Sequence, residues 1–491
     1  MNRLTLLLAA LLAVAACQTP PPAPYGVLPT PAQVAWQQME YNMFVHFGPN
    51  TFTGAEWGTG TEVEDIFNPT DLDCRQWAAT AAAAGMKGII VTAKHHDGFC
   101  LWPNPVSTHT VAQSCWKDGK GDVLRSLSEA CREYGLKFGI YISPWDRFDP
   151  HYGTPEYNEV FRKTLESALS SYGEVYEQWF DGACGEGPNG KRQVYDWDLF
   201  HAEVWKHQPN AIMFSDVGPG CRWVGNESGR AGRTSWSTMN IAGYEPGPGG
   251  PSQQTLNTGE PGGDAWVPSE TDVSIRPGWF WRESETPQVK SLEKLMQIYY
   301  ESVGRNSLLL LNVPADTRGR LDAVDSTRLM ELRTALDAVF AQNLAAGATL
   351  EATAERGGKY RVSNLLDADY DRYWAVPDGV LTPSFTATLD GEKTFNRVVL
   401  QEYIPLGQRV SGFTVEVLCD GAWREVAAET TVGYKRIVLL DSPVTASAVR
   451  VRITDALACP VLNGFGLYLD TLYGSGESAG TATGRTTDVL L

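Results

Sequence analysis

Between residues 41 and 314 short apolar runs alternate with amphipathic stretches, the rhythm of parallel strands joined by helices. No other feature narrows the fold so far. Strand candidates fall at 42–47, 88–93, 138–143, 175–180, 211–215 and 308–313, with two weak ones in 234–238 and near 275–281. Helix candidates lie at 74–84, 123–134, 155–172, 194–207, 289–303 and 327–340. In the third of these Thr154 is the expected N-cap and Pro155 the first helical residue. Eight strand–helix repeats predict an α/β fold, a (β/α)8-like barrel over 31–345 with an irregular middle. Residues 241–270, rich in Gly and Pro, read as a long functional loop. After Phe340 the rhythm changes to short alternating runs, so an all-β sandwich is expected over 350–473, followed by a flexible Gly/Ser/Thr-rich tail at 474–491. A chain of 491 residues is long enough for both.

The amino terminus reads as an address. Met1-Asn2-Arg3 and the apolar run 4–16 form a positive start and a hydrophobic stretch too short to span a bilayer. Val14-Ala15-Ala16-Cys17 resembles a bacterial lipobox, which implies a lipoprotein signal peptide over 1–16, lipid on Cys17 and a Pro-rich tether at 17–30. The expected location is that of an exported bacterial lipoprotein, periplasmic or anchored in the outer membrane. The net charge of −18 repels phosphate backbones and excludes nucleic acid as a general partner. The eight cysteines after Cys17 show no CxxC spacing, so a structural zinc site is not expected; disulfides, with Cys100 and Cys115 closest in sequence, and buried free thiols both remain open. Nothing in the sequence fixes an oligomeric state.

In such a barrel the chemistry sits where strands end. Strand one ends in His46-Phe47-Gly48, followed by Glu56-Trp57; strand two runs into Lys94-His95-His96-Asp97; strand three into Ser143-Pro144-Trp145-Asp146; strand four ends in Trp179-Phe180-Asp181-Gly182; strand five reaches Ser215-Asp216. Three histidines here raise a metal-dependent hydrolase as a rival, but the first strand lacks the His-x-His of barrel metallohydrolases, and no metal is expected. The 16 Trp and 19 Tyr suit a protein that grips sugar rings, although core packing accounts for most of them.

Taken together, His46-Phe47-Gly48, Glu56-Trp57, Lys94-His95-His96-Asp97-Gly98-Phe99 and Trp179-Phe180-Asp181-Gly182 resemble the α-L-fucosidases of glycoside hydrolase family 29, over residues 30–345. The resemblance implies a retaining mechanism with two carboxyl groups about 5–5.5 Å apart. It makes Asp181 the nucleophile. Trp223-Val224-Gly225-Asn226-Glu227 resembles the acid/base motif of the subgroup that cleaves α-1,3 and α-1,4 fucosyl linkages, which points to Glu227, with Glu186, Glu270 and Glu283 as competitors and a salt bridge to Arg222 or Arg230 as the bland alternative. It further implies that His46, Glu56, His95, His96 and Tyr141 bind fucose, that Trp57 and Trp279 wall the pocket, and that Trp145 and Asp146 stand on the leaving-group side or serve packing and capping. The expected partner is a fucosylated oligosaccharide or glycoprotein glycan, without a catalytic cofactor. In the second domain the run from Asn364 to Trp374 resembles the opening of galactose-binding-like sandwiches; its carboxylates could ligate a structural calcium, but such a sandwich often serves only as a packing partner. A surface glycan-binding lipoprotein without catalysis is the alternative function.

Overall fold

The computed structural model describes residues 19–472. Eight strands close a barrel: β1 (Tyr41–Val45), β2 (Gly88–Lys94), β3 (Lys137–Ile142), β4 (Glu177–Trp179), β5 (Ile212–Ser215), β6 (Cys221–Trp223), β7 (Ser269–Ser274) and β8 (Leu308–Asn312). Neighbours run parallel throughout, and β1 pairs with β8 through Tyr41↔Leu309 to Phe44↔Asn312. Around it lie α1 (Pro31–Gln37), α2 (Cys74–Ala83), α3 (Val123–Glu133), α4 (Glu156–Leu169), α5 (Trp197–His207), α6 (Leu292–Ser302) and α7 (Ala323–Phe340). Side-chain caps start most of them: Asp73, Asp122, Asp196, Ser291 and Asp322 each accept from backbone N–H groups of the first turn. α3 shows why such a segment docks: Val123, Leu124, Leu127, Ala130 and Cys131 recur at helical spacing and are all buried. In α4 the expected cap is corrected. Pro155 holds the cap position and Thr154 Oγ1 donates instead to His151 O.

Two strands also differ from the sequence reading. The sixth is Cys221–Trp223, not a segment of 234–238, and the seventh is Ser269–Ser274, ahead of 275–281. No helix separates β5 from β6; five residues turn the chain straight back into the barrel. The excursion then falls between β6 and β7. There the expected loop contains a short helix, Gln253–Thr258, and a strand Ala265–Trp266 paired with Thr238–Met239. Arg222, fully buried, ties this excursion down by donating to Leu256 O (2.8 Å), Trp236 O (3.0 Å) and Val267 O.

The second domain is an antiparallel sheet of β9 (Thr349–Ala352), β10 (Trp374–Ala375), β11 (Ser384–Glu402), β12 (Val410–Cys419), β13 (Ala422–Glu429), β14 (Arg436–Ala456) and β15 (Val461–Tyr468), in the order β10-β15-β11-β14-β12-β13 with β9 on β11. Long β11 and β14 break register between Thr388 and Lys393 and between Phe395 and Arg397, so one continuous path can fold around a single apolar core. It packs on the barrel through apolar side chains, Val399 and Ile437 among them, and through buried and half-buried polar groups. Asn306 accepts from Tyr434 N (2.7 Å), and Glu40 accepts from Tyr434 Oη (2.9 Å) and Lys435 Nζ.

The segment expected to be a Pro-rich tether is strapped to this domain over its described part. Arg356 Nε donates to Pro20 O (2.7 Å), Arg409 Nη2 to Ala23 O (2.7 Å), and Tyr25 N to Leu406 O (3.0 Å). The expected signal peptide, Cys17 and the tail after Leu472 lie outside the described residues. All eight described cysteines are free thiols.

Candidate active site

The carboxyl end of the barrel gathers the strand-end residues. Asp181, just past β4, has one oxygen committed to each side: Tyr141 Oη on β3 donates to Oδ2 (2.9 Å) and Ala183 N to Oδ1 (2.7 Å). His96 Nε2 stands 3.8 Å from Oδ2. Ser143 Oγ, 2.7 Å from His96 Nδ1 and 3.1 Å from Trp145 O, orients the ring so that Nε2 faces the carboxylate. The same logic orients His46. Asn312 Nδ2 donates to Ser274 Oγ and Trp279 O (both 2.9 Å), which turns its Oδ1 toward His46 Nδ1 at 2.8 Å and leaves His46 Nε2 for a ligand. Burial holds all three imidazoles neutral: His46 is lowered to about 3 and His96 to about 4, chiefly by desolvation, and His95 well below its ordinary value. His95 stacks on Tyr141 with centroids 5.7 Å apart.

The walls are aromatic. Trp57, 48% exposed, meets His96 and Trp145 edge-on, at 5.6 and 5.4 Å. Trp279 lies 5.0 Å from His46, and its Nε1 donates to Glu227 Oε2 (3.2 Å). Loss of hydration pushes the Glu227 carboxyl up, the Trp279 hydrogen bond opposes this, and the negative charges of Asp181 and Glu56 add to the rise. The bland alternative for Glu227 fails on geometry: Arg230 pairs with Glu301 (2.9 Å) and Arg222 donates to backbone carbonyls.

Its competitors sit elsewhere. Glu186, in the loop after Asp181, and Glu283, opening the turn at 283–288, are exposed, as Glu227 is, but neither carboxylate bonds a residue of the pocket wall as that of Glu227 bonds Trp279, and Glu270 is buried in the barrel interior with Glu177 and Cys221, accepting from Trp179 Nε1 (2.8 Å). Glu56 holds a loop together, accepting from Trp279 N and Arg282 Nη2. Of the two roles left open for Asp146 the geometry favours the cap: Lys94 Nζ pairs with Oδ2 (3.1 Å) and Phe148 N and Asp149 N donate to Oδ1. Trp145 is nearly buried, with Nε1 on Glu186 O (3.1 Å), and faces the site through its ring.

Three groups escaped the sequence reading. Asp272 on β7 is buried, accepts from Trp223 Nε1 (2.9 Å), and is pushed well up by burial, then by the charges of Glu227 and Asp181. Asn312 sets the His46 tautomer, and Arg282 braces Glu56. An acidic residue two positions after Glu270 in a strand was the available signal for Asp272.

Among the described residues, two groups could hold a metal ion, Glu166/Glu203/His207 and Glu177/Cys221/Glu270; neither includes the three site histidines. The first is already neutralised by Arg162 and Lys206. In the second domain Asp367 and Asp369 accept from backbone N–H groups two residues on, and Arg372 pairs with Asp367.

Comparison with known proteins bears on this geometry. The α-L-fucosidase family model matches residues 25–338 and the F5/8 type C domain model matches 349–463. The chain is 40% identical to α-L-fucosidase 1 of Arabidopsis thaliana over 465 residues, 94% of this chain and 91% of that one. It superposes on a glycoside hydrolase family 29 member from an unknown rumen bacterium with a TM-score of 0.81 at 39% identity, covering 94% and 79% of the two chains. A family 29 fucosidase of Ruminococcus gnavus, solved in complex with fucose, superposes with a TM-score of 0.83 at 31% identity, covering 92% and 97%. A fucosidase barrel, its strand-end carboxylate among neutral histidines and the galactose-binding-like sandwich behind it thus come together in one chain, which belongs to the α-L-fucosidases of glycoside hydrolase family 29.

Proposed function

We propose that this α-L-fucosidase is an exo-acting, retaining enzyme that removes terminal α-1,3- or α-1,4-linked fucose from branched glycans, with Asp181 as nucleophile and Glu227 as acid/base. The observation that carries the reading is the contrast between the two carboxyls. Asp181 has each oxygen fixed by a donor, Tyr141 Oη on Oδ2 and Ala183 N on Oδ1, as an in-line nucleophile needs, whereas Glu227, on a side chain that still reaches the surface, is pushed upward by partial loss of hydration and by the charges of Asp181 and Glu56.

In the first step an Asp181 oxygen bonds to the anomeric carbon as the glycosidic C–O bond breaks, and Glu227 gives its proton to the departing oxygen. In the second, Glu227 takes a proton from water, the water oxygen bonds to the anomeric carbon, and the ester bond to Asp181 breaks, which restores both groups. The neutral rings of His46, His95 and His96, with Tyr141, provide acceptors and donors for the three free hydroxyls of fucose, while Trp57 and Trp279 supply apolar faces for its methyl group and ring. Glu56 contributes by fixing Trp279 through its backbone N–H. Glycosidases of this family are cofactor-independent, and every group the two steps need is a side chain of this chain.

The linkage preference rests on the likeness of residues 223–227 to the subgroup motif. Export as a lipoprotein rests on residues 1–17; the strapping of 20–25 to the sandwich means that lipid on Cys17 would hold the chain through that domain.

NMR of the anomeric proton in freshly released fucose tests the mechanism, with the α anomer expected first and the β anomer overturning retention. A panel of defined α-1,2, α-1,3, α-1,4 and α-1,6 fucosides tests the linkage, and preferred cleavage of α-1,2 would overturn it. Asp181→Ala is expected to release no fucose.

A further inference from the structure

A cavity of about 650 Å3 opens on the outer flank of the barrel, between α5 with the segment leading into it and the Gly/Pro-rich loop at 241–246. None of the residues assigned above to fucose lines it. Its walls combine the rings of Tyr195, Trp197 and Tyr244 with the carboxylates of Asp196, Asp198 and Glu245. Tyr244 is 43% exposed and Val194, also lining it, 84%, which leaves apolar surface uncovered beside the acceptors. No lysine or arginine is among the described lining residues.

We propose that this cavity is a second, non-catalytic saccharide site, taking one or two neutral sugar rings. Sugar rings are amphipathic: C–H faces lie on aromatic rings and rim hydroxyls donate to carboxylates, and both kinds of group are present here. The volume falls in the range of about 300–1,000 Å3 typical of small-ligand pockets. Three carboxylates without a basic counterpart repel sialylated or sulfated chains, so the ligand is neutral.

The cavity also abuts the back of the nucleophile. Phe180, the residue before Asp181, packs on the lining rings of Trp197 (5.7 Å) and His201 (6.1 Å). On the other side Gly247 N donates to Asp216 Oδ2 (2.6 Å), and a Cβ on Gly182 would come within 2.6 Å of that oxygen and 3.2 Å of Gly247 Cα. The loop bearing Tyr244 and Glu245 is therefore seated directly on the turn after Asp181.

The test uses the full chain carrying Asp181→Ala, with L-fucose at saturation to fill the catalytic pocket, and N-acetyllactosamine as the neutral probe followed by saturation-transfer NMR. Binding is expected, and Tyr244→Ala should weaken it by about tenfold, with Glu245→Gln a smaller loss. Absence of binding beside fucose, or equal binding to both variants, overturns the site. Both side chains are exposed, and Tyr244→Ala in the otherwise unchanged enzyme should hydrolyse an aryl fucoside within about twofold of the parent, which separates this result from any failure of the proposed mechanism. Given lost probe binding, a raised KM for a fucosylated oligosaccharide identifies the occupant as the substrate's own remaining arm, and an unchanged KM identifies a separate glycan chain; either upholds the site.

Discussion

Tyr141 shows how one hydroxyl can serve two ends of a reaction. Its O–H donates to Asp181 Oδ2, so it stabilises the attacking carboxylate and also fixes which oxygen faces the sugar. Tyr141→Phe removes that bond, with the hydroxyl's contact to Ser143, and keeps the ring that stacks on His95 and Trp179. A hydrogen bond to a charged group is worth about 1.5–3 kcal/mol, so kcat/KM should fall by about ten- to a hundredfold with the thermal midpoint nearly unchanged. Retained activity would mean that Asp181 does not depend on that donor. Trp279 makes the opposite kind of bond, since its Nε1–H favours the ionised form of Glu227 and so lowers its pKa. Trp279→Phe keeps an aromatic wall but removes the donor, and the alkaline limb of the kcat/KM profile should move to higher pH. A shift downward would show that the carboxyl titrating there is not Glu227. The site histidines, already neutral above about pH 4, should not shape the profile at neutral pH.

At the level of single strands, β6 and β7 explain what the sequence concealed. The apolar strands β1, β2, β3, β5 and β8 were legible because Met43, Ile89, Ile140, Met213 and Leu311 announce a buried strand through hydropathy alone. β6 is three residues long with Arg222 at its centre, and that guanidinium is inside because three carbonyls of the following excursion surround it. β7 reads Ser-Glu-Thr-Asp-Val-Ser, yet all six residues are buried. Its polar side chains are matched across the barrel by partners no local window contains: Glu270 by Glu177 and Trp179, Asp272 by Trp223, Ser274 by Asn312. The same cause hid Asp272 and Asn312 from the site, whereas His46, His95, His96 and Asp181 stood out as motif residues at strand ends. The Glu177–Glu270 pair makes this testable. Burial pushes both carboxyls up, and Glu270, held well above its ordinary value with Glu177 as neighbour, keeps a proton in the folded chain. A folded-state pKa raised above the unfolded one means stability present at low pH and lost as pH rises through the folded value, at up to about 1.4 kcal/mol per pH unit for one proton. Glu270→Gln keeps an oxygen for Trp179 Nε1 and an N–H for Glu177 but does not titrate. Its thermal midpoint should therefore fall less than the parent's between about pH 5 and 7, where the unfolded carboxyl has lost its proton and the folded one still holds it; parallel curves would mean the pair holds no proton.

Across the whole molecule, the sandwich reaches the chemistry through the excursion between β6 and β7, the segment that also carries Glu227. Gln408, on the sandwich side, donates to Ser235 O (2.9 Å) and accepts from Ser237 N (2.7 Å), while Asn306 Nδ2, ahead of β8, donates to the same Ser235 O (3.1 Å). Ser235 N in turn donates to Thr431 Oγ1 (2.9 Å). All of these residues are buried, so the excursion is pinned from both domains at once. The nucleophile, just past β4, takes its two hydrogen bonds from Tyr141 and Ala183, outside the excursion. Gln408→Ala should therefore act unevenly. Ser235 O keeps Asn306, but leaving the buried Ser237 N–H without a partner costs about 1–3 kcal/mol, which should lower the thermal midpoint by about one to three degrees. Loosened placement of Glu227 should matter most where the leaving oxygen needs its proton, so hydrolysis of fucosylated oligosaccharides should fall by about tenfold or more while an aryl fucoside with an acidic leaving group loses little. Equal losses on both substrates would mean that the sandwich stabilises the barrel without positioning the acid; a selective loss would make the second domain part of the catalytic apparatus through this loop.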